Sequence, residues 1–368
     1  MAILSVSSVM NTVFAVVLAI VILLVMITVH EFGHYIAGKI LKFKINEFAI
    51  GFGPKLFKRT SKRTGEAFSI RLFPLGGFCA FDGEDEEGIN PASFNNKAAW
   101  KRIIVLISGP LMNYLLAALL IIISFFAFGQ MVFKVNSVVP SESFTEYSLI
   151  EGDLICNADG KGIYLITDLT SALKGKSEGE KVEFTVIRAG KKQKVEIAMQ
   201  ADCDFKNSED ISKMWRALGV GTVEGSDGNL YWDVGVESCR MGFFETIGRS
   251  FVYSIRIAGT IFKVLGELLT GHLGLSAMGG PVTTIKLTSQ VASQSVQNFL
   301  EIAAYIGVNL AVFNLLPIPA LDGSKVVFCL IEWIFRKPVP RKIEAIIHAV
   351  GFVLILAFAV LADVLQFI

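Results

Sequence analysis

Predominantly apolar residues fill four stretches of the chain, 10–36, 103–128, 299–316 and 343–365. Each is long enough, as a helix rising about 1.5 Å per residue, to cross a hydrocarbon layer about 30 Å thick. A fifth run, 241–269, is similar in length, but Glu245, Arg249, Arg256, Lys263 and Glu267 recur in it at spacings of 4, 7, 7 and 4. Such spacings put every charge on one stripe, which predicts an amphipathic helix lying at the membrane surface instead of a span. Residues 45–52 and 67–73 alternate with period two, with Phe68, Ile70 and Leu72 on one face. They predict a β-hairpin apolar enough to dip into the membrane, with an ordinary soluble hairpin as the alternative, bounded by glycine and proline turns and tied on one side by Lys55, Lys58, Arg59, Lys62 and Arg63.

Between 133 and 239 the long apolar periodicity is lost, and a soluble domain is expected, with strands at 135–139 and 181–189 and a short helix at 165–173. Its order of turns and strands, from Gly152 and Asp153 to Arg188 and Gly190, resembles a PDZ domain, a fold that binds extended peptides by adding a strand to a sheet edge. The expected organisation is therefore 1–132 with two spans and the hairpin, 133–205 PDZ-like, 206–298 linker, interfacial helix and following loop, and 299–368 with the last two spans. The fold class is a polytopic α-helical membrane protein with four transmembrane helices, a membrane re-entrant β-hairpin and an extracytoplasmic α/β PDZ-like domain.

Composition agrees: of 368 residues 53% are hydrophobic and only 18% charged, and 29 Phe stand against seven Tyr. A net charge of +1 gives no basis for nucleic-acid binding. Five cysteines without C-x-x-C spacing argue against a cysteine metal site; buried thiols are the simpler reading, and pairing among Cys156, Cys203 and Cys239 stays open. Lys39, Lys42 and Lys44 follow the first span, Lys101 and Arg102 precede the second, and Arg336, Lys337, Arg341 and Lys342 precede the last. By the positive-inside rule these ends are cytoplasmic, so both termini and the soluble domain lie outside. The first Lys is Lys39, so the N-terminal run is expected to be a retained anchor, without the basic start of a signal peptide.

Polar groups inside such spans carry the chemistry. His30 and His34 share a helical face and can grip one metal ion, with Glu31 beside them to take a proton from an activated water. A carboxylate within a span costs roughly 2 to 4 kcal/mol on insertion scales, which weighs against a chance pentapeptide. Pro317, Pro319 and Gly323 break the third span and turn Asp322 back at the depth of the histidines, provided 241–269 does not cross. Two histidines and a carboxylate leave a fourth zinc position open, the pattern of a catalytic site, whereas Asp322 alone would read as a helix cap. In the second span, Asn113 after Ser108, Gly109 and Pro110 either belongs to a packing kink or faces a buried polar site. His272 and His348 are not expected to be ligands.

With these residues in view, the sequence resembles the site-2 protease family of intramembrane zinc metalloproteases, in its bacterial RseP-like branch. His30, Glu31 and His34 match H-E-x-x-H, and Asn314 to Gly323 match N-x-x-P-x-P-x-L-D-G. Gly51 and Gly53 match the re-entrant loop, and Ser108 to Asn113 a stretch of the second span. The resemblance implies one Zn2+ per chain on His30, His34 and Asp322, with Glu31 catalytic and Asn314 positioning substrate or stabilising the oxyanion. It implies a multi-pass protein of the bacterial inner (cytoplasmic) membrane, active toward the cytoplasmic side, in contact with the lipid bilayer. The implied activity is regulated intramembrane proteolysis of single-span membrane proteins such as anti-sigma factors or remnant signal peptides. Gly51, Gly53, Phe68, Ile70, Leu72 and Asn113 are the expected substrate contacts, Phe68 to Phe73 being read as an edge strand. A membrane adaptor would leave Glu31 and Asp322 unexplained; a zinc carrier would explain polar groups in spans but needs further ligands along a pathway, and the other spans offer few.

Overall fold

The computed structural model describes residues 6–84, 90–140, 142–203, 211–274 and 279–367. The chain opens with α1 (Val6–Ile40), β1 (Ile45–Thr60), β2 (Ala67–Phe81) and α2 (Ala99–Ala127). Then come β3 (Gln130–Val135), β4 (Leu154–Ala158), β5 (Lys161–Gly162), α3 (Ile166–Leu173), β6 (Lys181–Arg188), β7 (Lys191–Ala198) and α4 (Ile211–Ala217). It continues through β8 (Thr222–Glu224), β9 (Leu230–Trp232), β10 (Val234–Cys239) and α5 (Phe243–Leu269), and ends with α6 (Pro281–Ala292), α7 (Val296–Leu315), α8 (Asp322–Phe335) and α9 (Arg341–Phe367). Two compact units result, residues 1–121 with 257–368, and residues 122–256.

In the first unit, Val16–Ile40, Ala99–Ala127, Val296–Leu315 and Arg341–Gln366 are long and apolar enough to cross a membrane, the four runs expected. Phe14, Leu111, Leu115, Val353 and Leu354 turn outward from these helices, as lipid-facing surfaces do. Ile22 and Met26 of α1 pack with Ala303 and Ile306 of α7, and Ala37 joins Phe43, Phe81, Val105 and Cys329 in a second cluster that ties α1, the sheet, α2 and α8 together. Pro110 sits inside α2. Its missing N–H loosens that turn.

The hairpin is folded twice, where a simple one was expected. Gly51 and Gly53, at φ of +85° and +84°, and Gly76, at +109°, bend both strands back on themselves. Phe48 pairs with Cys79 on one side and Phe68 on the other, while Ile70 pairs with both Ile50 and Phe57. The spatial order is 55–60, 67–71, 45–50, 77–81. Phe68 and Ile70 therefore lie in an interior segment, and the reading of 68–73 as an edge strand is corrected: residues 55–60 fold back and cover it. The outer edges are 55–60 and 77–81.

Helices α6 and α8, which the apolar pattern did not announce, complete this unit. Asp363 of α9 caps α6 by accepting from the backbone N–H groups of Val282 and Thr283, at 2.9 Å each.

In the second unit an antiparallel sheet runs β10-β3-β4-β6-β7, with β5 against β4. Ile155, Leu169, Phe184, Met214 and Trp215 fill its core beneath α3 and α4. The first strand covers 130–135 instead of 135–139, and β10 comes from residues that read as linker. The amphipathic helix appears as α5, but its stripe is not uniformly solvated. Arg249 is buried, donating to Gln130 Oε1, to Asn157 Oδ1 at 2.9 Å and to the carbonyls of Cys156 and Ile163 at 3.2 and 3.1 Å. All five cysteines are buried and free. Burial pushes the Cys156 and Cys203 thiols each up to about 11.

Candidate metal centre

Helix geometry places His30 and His34 one turn apart on α1, and both side chains are buried. Their rings stand edge to face at 4.8 Å, with Nε2 atoms 3.2 Å apart. Asp322 enters from the N-terminus of α8 and brings Oδ2 to 3.0 Å from His30 Nε2 and 3.3 Å from His34 Nε2. The three donor atoms thus form a nearly equilateral triangle. Tetrahedral ligands at about 2.0–2.1 Å from zinc are roughly 3.4 Å apart, so a nitrogen, nitrogen, oxygen set at these separations fits that ion. It is the only grouping of three metal-ligating side chains among the described residues.

What holds the triangle is as informative as the triangle. His34 Nδ1 lies 2.8 Å from the carbonyl of Val105. That nitrogen must carry the proton and donate, which leaves Nε2 with a bare lone pair for a metal. His30 Nδ1 faces the Asn113 carboxamide at 3.5 Å, and Asn113 is fully buried with Oδ1 lacking a partner. Turned by half a revolution, the amide accepts from His30 Nδ1–H and both groups are satisfied. Asn113 is therefore placed behind a histidine, where it reaches the buried polar site.

The helices approach closely to permit this. A β-carbon at Gly33 would lie 2.3 Å from the Ser108 carbonyl, and one at Gly109 would lie 2.3 Å from His34 Nε2. On the other side, Pro317 and Pro319 end α7, and Ala320 takes a left-handed φ of +75°. Its N–H donates to His348 Nδ1 of α9 at 3.0 Å. A β-carbon at Gly351 would meet Pro319 Cβ at 2.2 Å, so α9 presses directly on the loop that carries Asp322. Neither His348 nor His272 belongs to the metal-ligating group; His272 bonds Thr270 Oγ1 at 2.8 Å.

Glu31 stands next to this cluster. Its Oε2 accepts from the backbone N–H of Cys79 at 2.9 Å, on the outer edge 77–81 of the sheet. A cavity of about 460 Å³ opens there, lined by Glu31, His34, Asp322, Cys79, Glu84 and Lys325 among others. Lys325 pairs with Glu84 at 2.7 Å across it. Glu84 belongs to the acidic loop Asp82 to Glu87, which reads from sequence as a solvated turn; residues 85–87 of that loop lie outside the described residues.

The remaining expected residues are distributed differently. Asn314 donates to the carbonyl of Leu310 in its own helix at 3.0 Å and does not line the cavity. Phe68, Ile70 and Leu72 are also absent from its wall, the first two for the pairing reason given above. Gly51 and Gly53 act as bends. Two groups carried no side-chain signal, the Val105 carbonyl and the Cys79 N–H, because each is backbone.

The sequence profile described as Peptidase family M50 matches residues 18–358. A protein of Clostridium perfringens named as a candidate zinc metalloprotease is 34% identical over 344 residues, 92% of this chain and 94% of its own length. Similarly named proteins of Fusobacterium nucleatum and Nostoc are each 29% identical, the former covering 94% of this chain and 96% of its own length, the latter 93% of each.

Proposed function

The chain belongs to peptidase family M50 and is a membrane zinc metalloprotease; on that premise we propose that it cleaves single-span membrane proteins within or near their spans, as in regulated intramembrane proteolysis of anti-sigma factors or remnant signal peptides. The observation that carries the reading is the triangle of His30, His34 and Asp322 with Glu31 at its side, the two histidines and Glu31 being set on a helix able to cross a membrane.

One Zn2+ would sit on His30 Nε2, His34 Nε2 and Asp322 Oδ2. When bound, zinc lowers the pKa of water and polarises the scissile carbonyl. The protein's own groups do the rest. Val105 and Asn113 keep both imidazoles in the tautomer that offers Nε2. The Cys79 N–H fixes the Glu31 carboxylate at the cavity wall, where it takes the proton of the attacking water and passes it to the departing amine. A helical substrate must first unwind, because its carbonyls are shielded by the ladder. Among the described residues the edge 77–81 pairs as a strand only with 45–50, and it runs along the Glu31 cavity. A substrate strand added there would be held extended beside the catalytic group.

Asn314, with Gly51 and Gly53 shaping the bends, is assigned to substrate positioning at the periphery. The positive-inside pattern supports a site toward the cytoplasmic face of a bacterial inner membrane, with both termini and the 133–205 PDZ-like region outside. That region would bind exported peptide segments or limit access.

The test is zinc content and cleavage of a tagged single-span substrate by the full chain in detergent. Glu31→Gln is expected to keep stoichiometric zinc and lose cleavage by about 10²-fold or more; Asp322→Ala is expected to lose zinc. Turnover retained in Glu31→Gln would sink the base assignment.

A further inference from the structure

Beyond the metal cluster, α1 and the folded hairpin enclose a second cavity of about 750 Å³ whose two halves differ in chemistry. Its inner wall is aromatic. Phe32, Tyr35, Phe48 and Phe68 stand ring against ring at centroid separations of 5.5 to 6.4 Å. Its rim is the turn 59–63, which supplies Arg59, Lys62 and Arg63. None of these three, nor Lys58, forms an ion pair with a described residue, whereas the one acid of the rim, Glu66, is held by Lys39. The outer strand beside them exposes Leu56 and Phe57, 65% and 50% accessible.

Strand pairing fixes where this rim lies. Thr60 opposes Ala67, at the end of the sheet that also holds Ile45 and Phe81, and Glu66 there reaches Lys39 as α1 leaves its apolar run. Unpaired cations at that level meet a bilayer surface, and an aromatic cavity of this size leading away from them is matched by hydrocarbon. Neither half explains the other unless the occupant is amphiphilic and negatively charged.

We propose that this cavity binds an anionic phospholipid, its phosphate on Arg59, Lys62 and Arg63 and an acyl chain against Phe48 and Phe68. The site uses no residue of the metal cluster and does not depend on the protease reading.

The test is native mass spectrometry of the full-length protein in neutral detergent, delipidated and then titrated with dioleoyl phosphatidylglycerol or dioleoyl phosphatidylcholine. Phosphatidylglycerol is expected to bind at least tenfold more tightly. Replacing Arg59, Lys62 and Arg63 together by Gln should abolish that preference, since each cation at a membrane surface contributes roughly fivefold. The charge-preserving set Arg59→Lys, Lys62→Arg and Arg63→Lys should retain it. Equal binding of the two lipids by the parent would overturn the proposal without any variant. Displacement of phosphatidylglycerol by equimolar glycerol phosphate would assign the rim to a free anion, and displacement by an acidic peptide from a substrate tail would assign it to protein; either result overturns the lipid.

Discussion

A methyl group placed at Gly109 should empty the metal site while touching no ligand in sequence. The added carbon would stand 2.3 Å from His34 Nε2 and 3.0 Å from His30 Cε1, against an ordinary contact that begins at 3.4 Å, so His34 must retreat by about 1.1 Å. A zinc ligand tolerates about 0.2 Å. His34 has little room to retreat, because its Nδ1 is tied at 2.8 Å to Val105, one turn before Gly109 on the same helix. Ala is a better helix former than Gly by about 1 kcal/mol, so α2 itself is not weakened. Gly109→Ala should therefore fold and bind zinc at least ~100-fold more weakly, beyond what loss of a supporting contact costs a metal site. Competition against a chromophoric chelator gives the affinity, and thermal unfolding of the metal-free protein checks the fold. A folded variant whose zinc affinity stays within threefold of the parent would refute the cradle geometry.

Other perturbations probe the surroundings. Asn113→Leu leaves His30 Nδ1–H without an acceptor and should weaken zinc by about 10- to 100-fold, measured by the same competition. Arg249→Met strands the amide oxygens of Gln130 and Asn157, while the carbonyls of Cys156 and Ile163 keep donors in the Ile163 N–H and the Gln130 amide; a loss of about 3 kcal/mol is expected in unfolding of the full chain, with zinc content unchanged. For Cys156 and Cys203, with thiols pushed up to about 11, only about one molecule in a thousand is a thiolate at pH 8. Iodoacetamide should leave both unlabelled in the native protein, and prompt native labelling would contradict their burial.

The four long apolar helices and the three side chains that could hold a metal were legible in the chain because lipid imposes long apolar runs and makes every polar residue inside them conspicuous. The doubled hairpin was not. Period-two alternation marks 45–52 and 67–73 as strands, but it does not tell whether Gly51 and Pro54 end a strand or bend it. Helical periodicity located Arg249 on the charged stripe of α5, yet angular position does not say what that stripe faces, and the sheet strands that cover it are distant in sequence. Asn113 stood between two readings until His30 was seen beside it. The Val105 carbonyl and the Cys79 N–H belong to the backbone, which every residue has, so no pattern of side chains could single them out.

The separation of the ligands along the chain has a consequence for biosynthesis. His30 and Asp322 are 292 positions apart. At roughly 5 to 20 residues per second, about 15 to 60 s pass on the ribosome between the first histidine and the carboxylate that completes the site. Throughout that interval the emerging polypeptide holds two imidazoles and no centre. The loop bearing Asp322 is then braced by His348 and Gly351, so maturation waits for the last helix as well. Proteolytic competence is thereby postponed until Asp322, His348 and Gly351 have all been made, and a product stalled before them is delivered to the membrane inert.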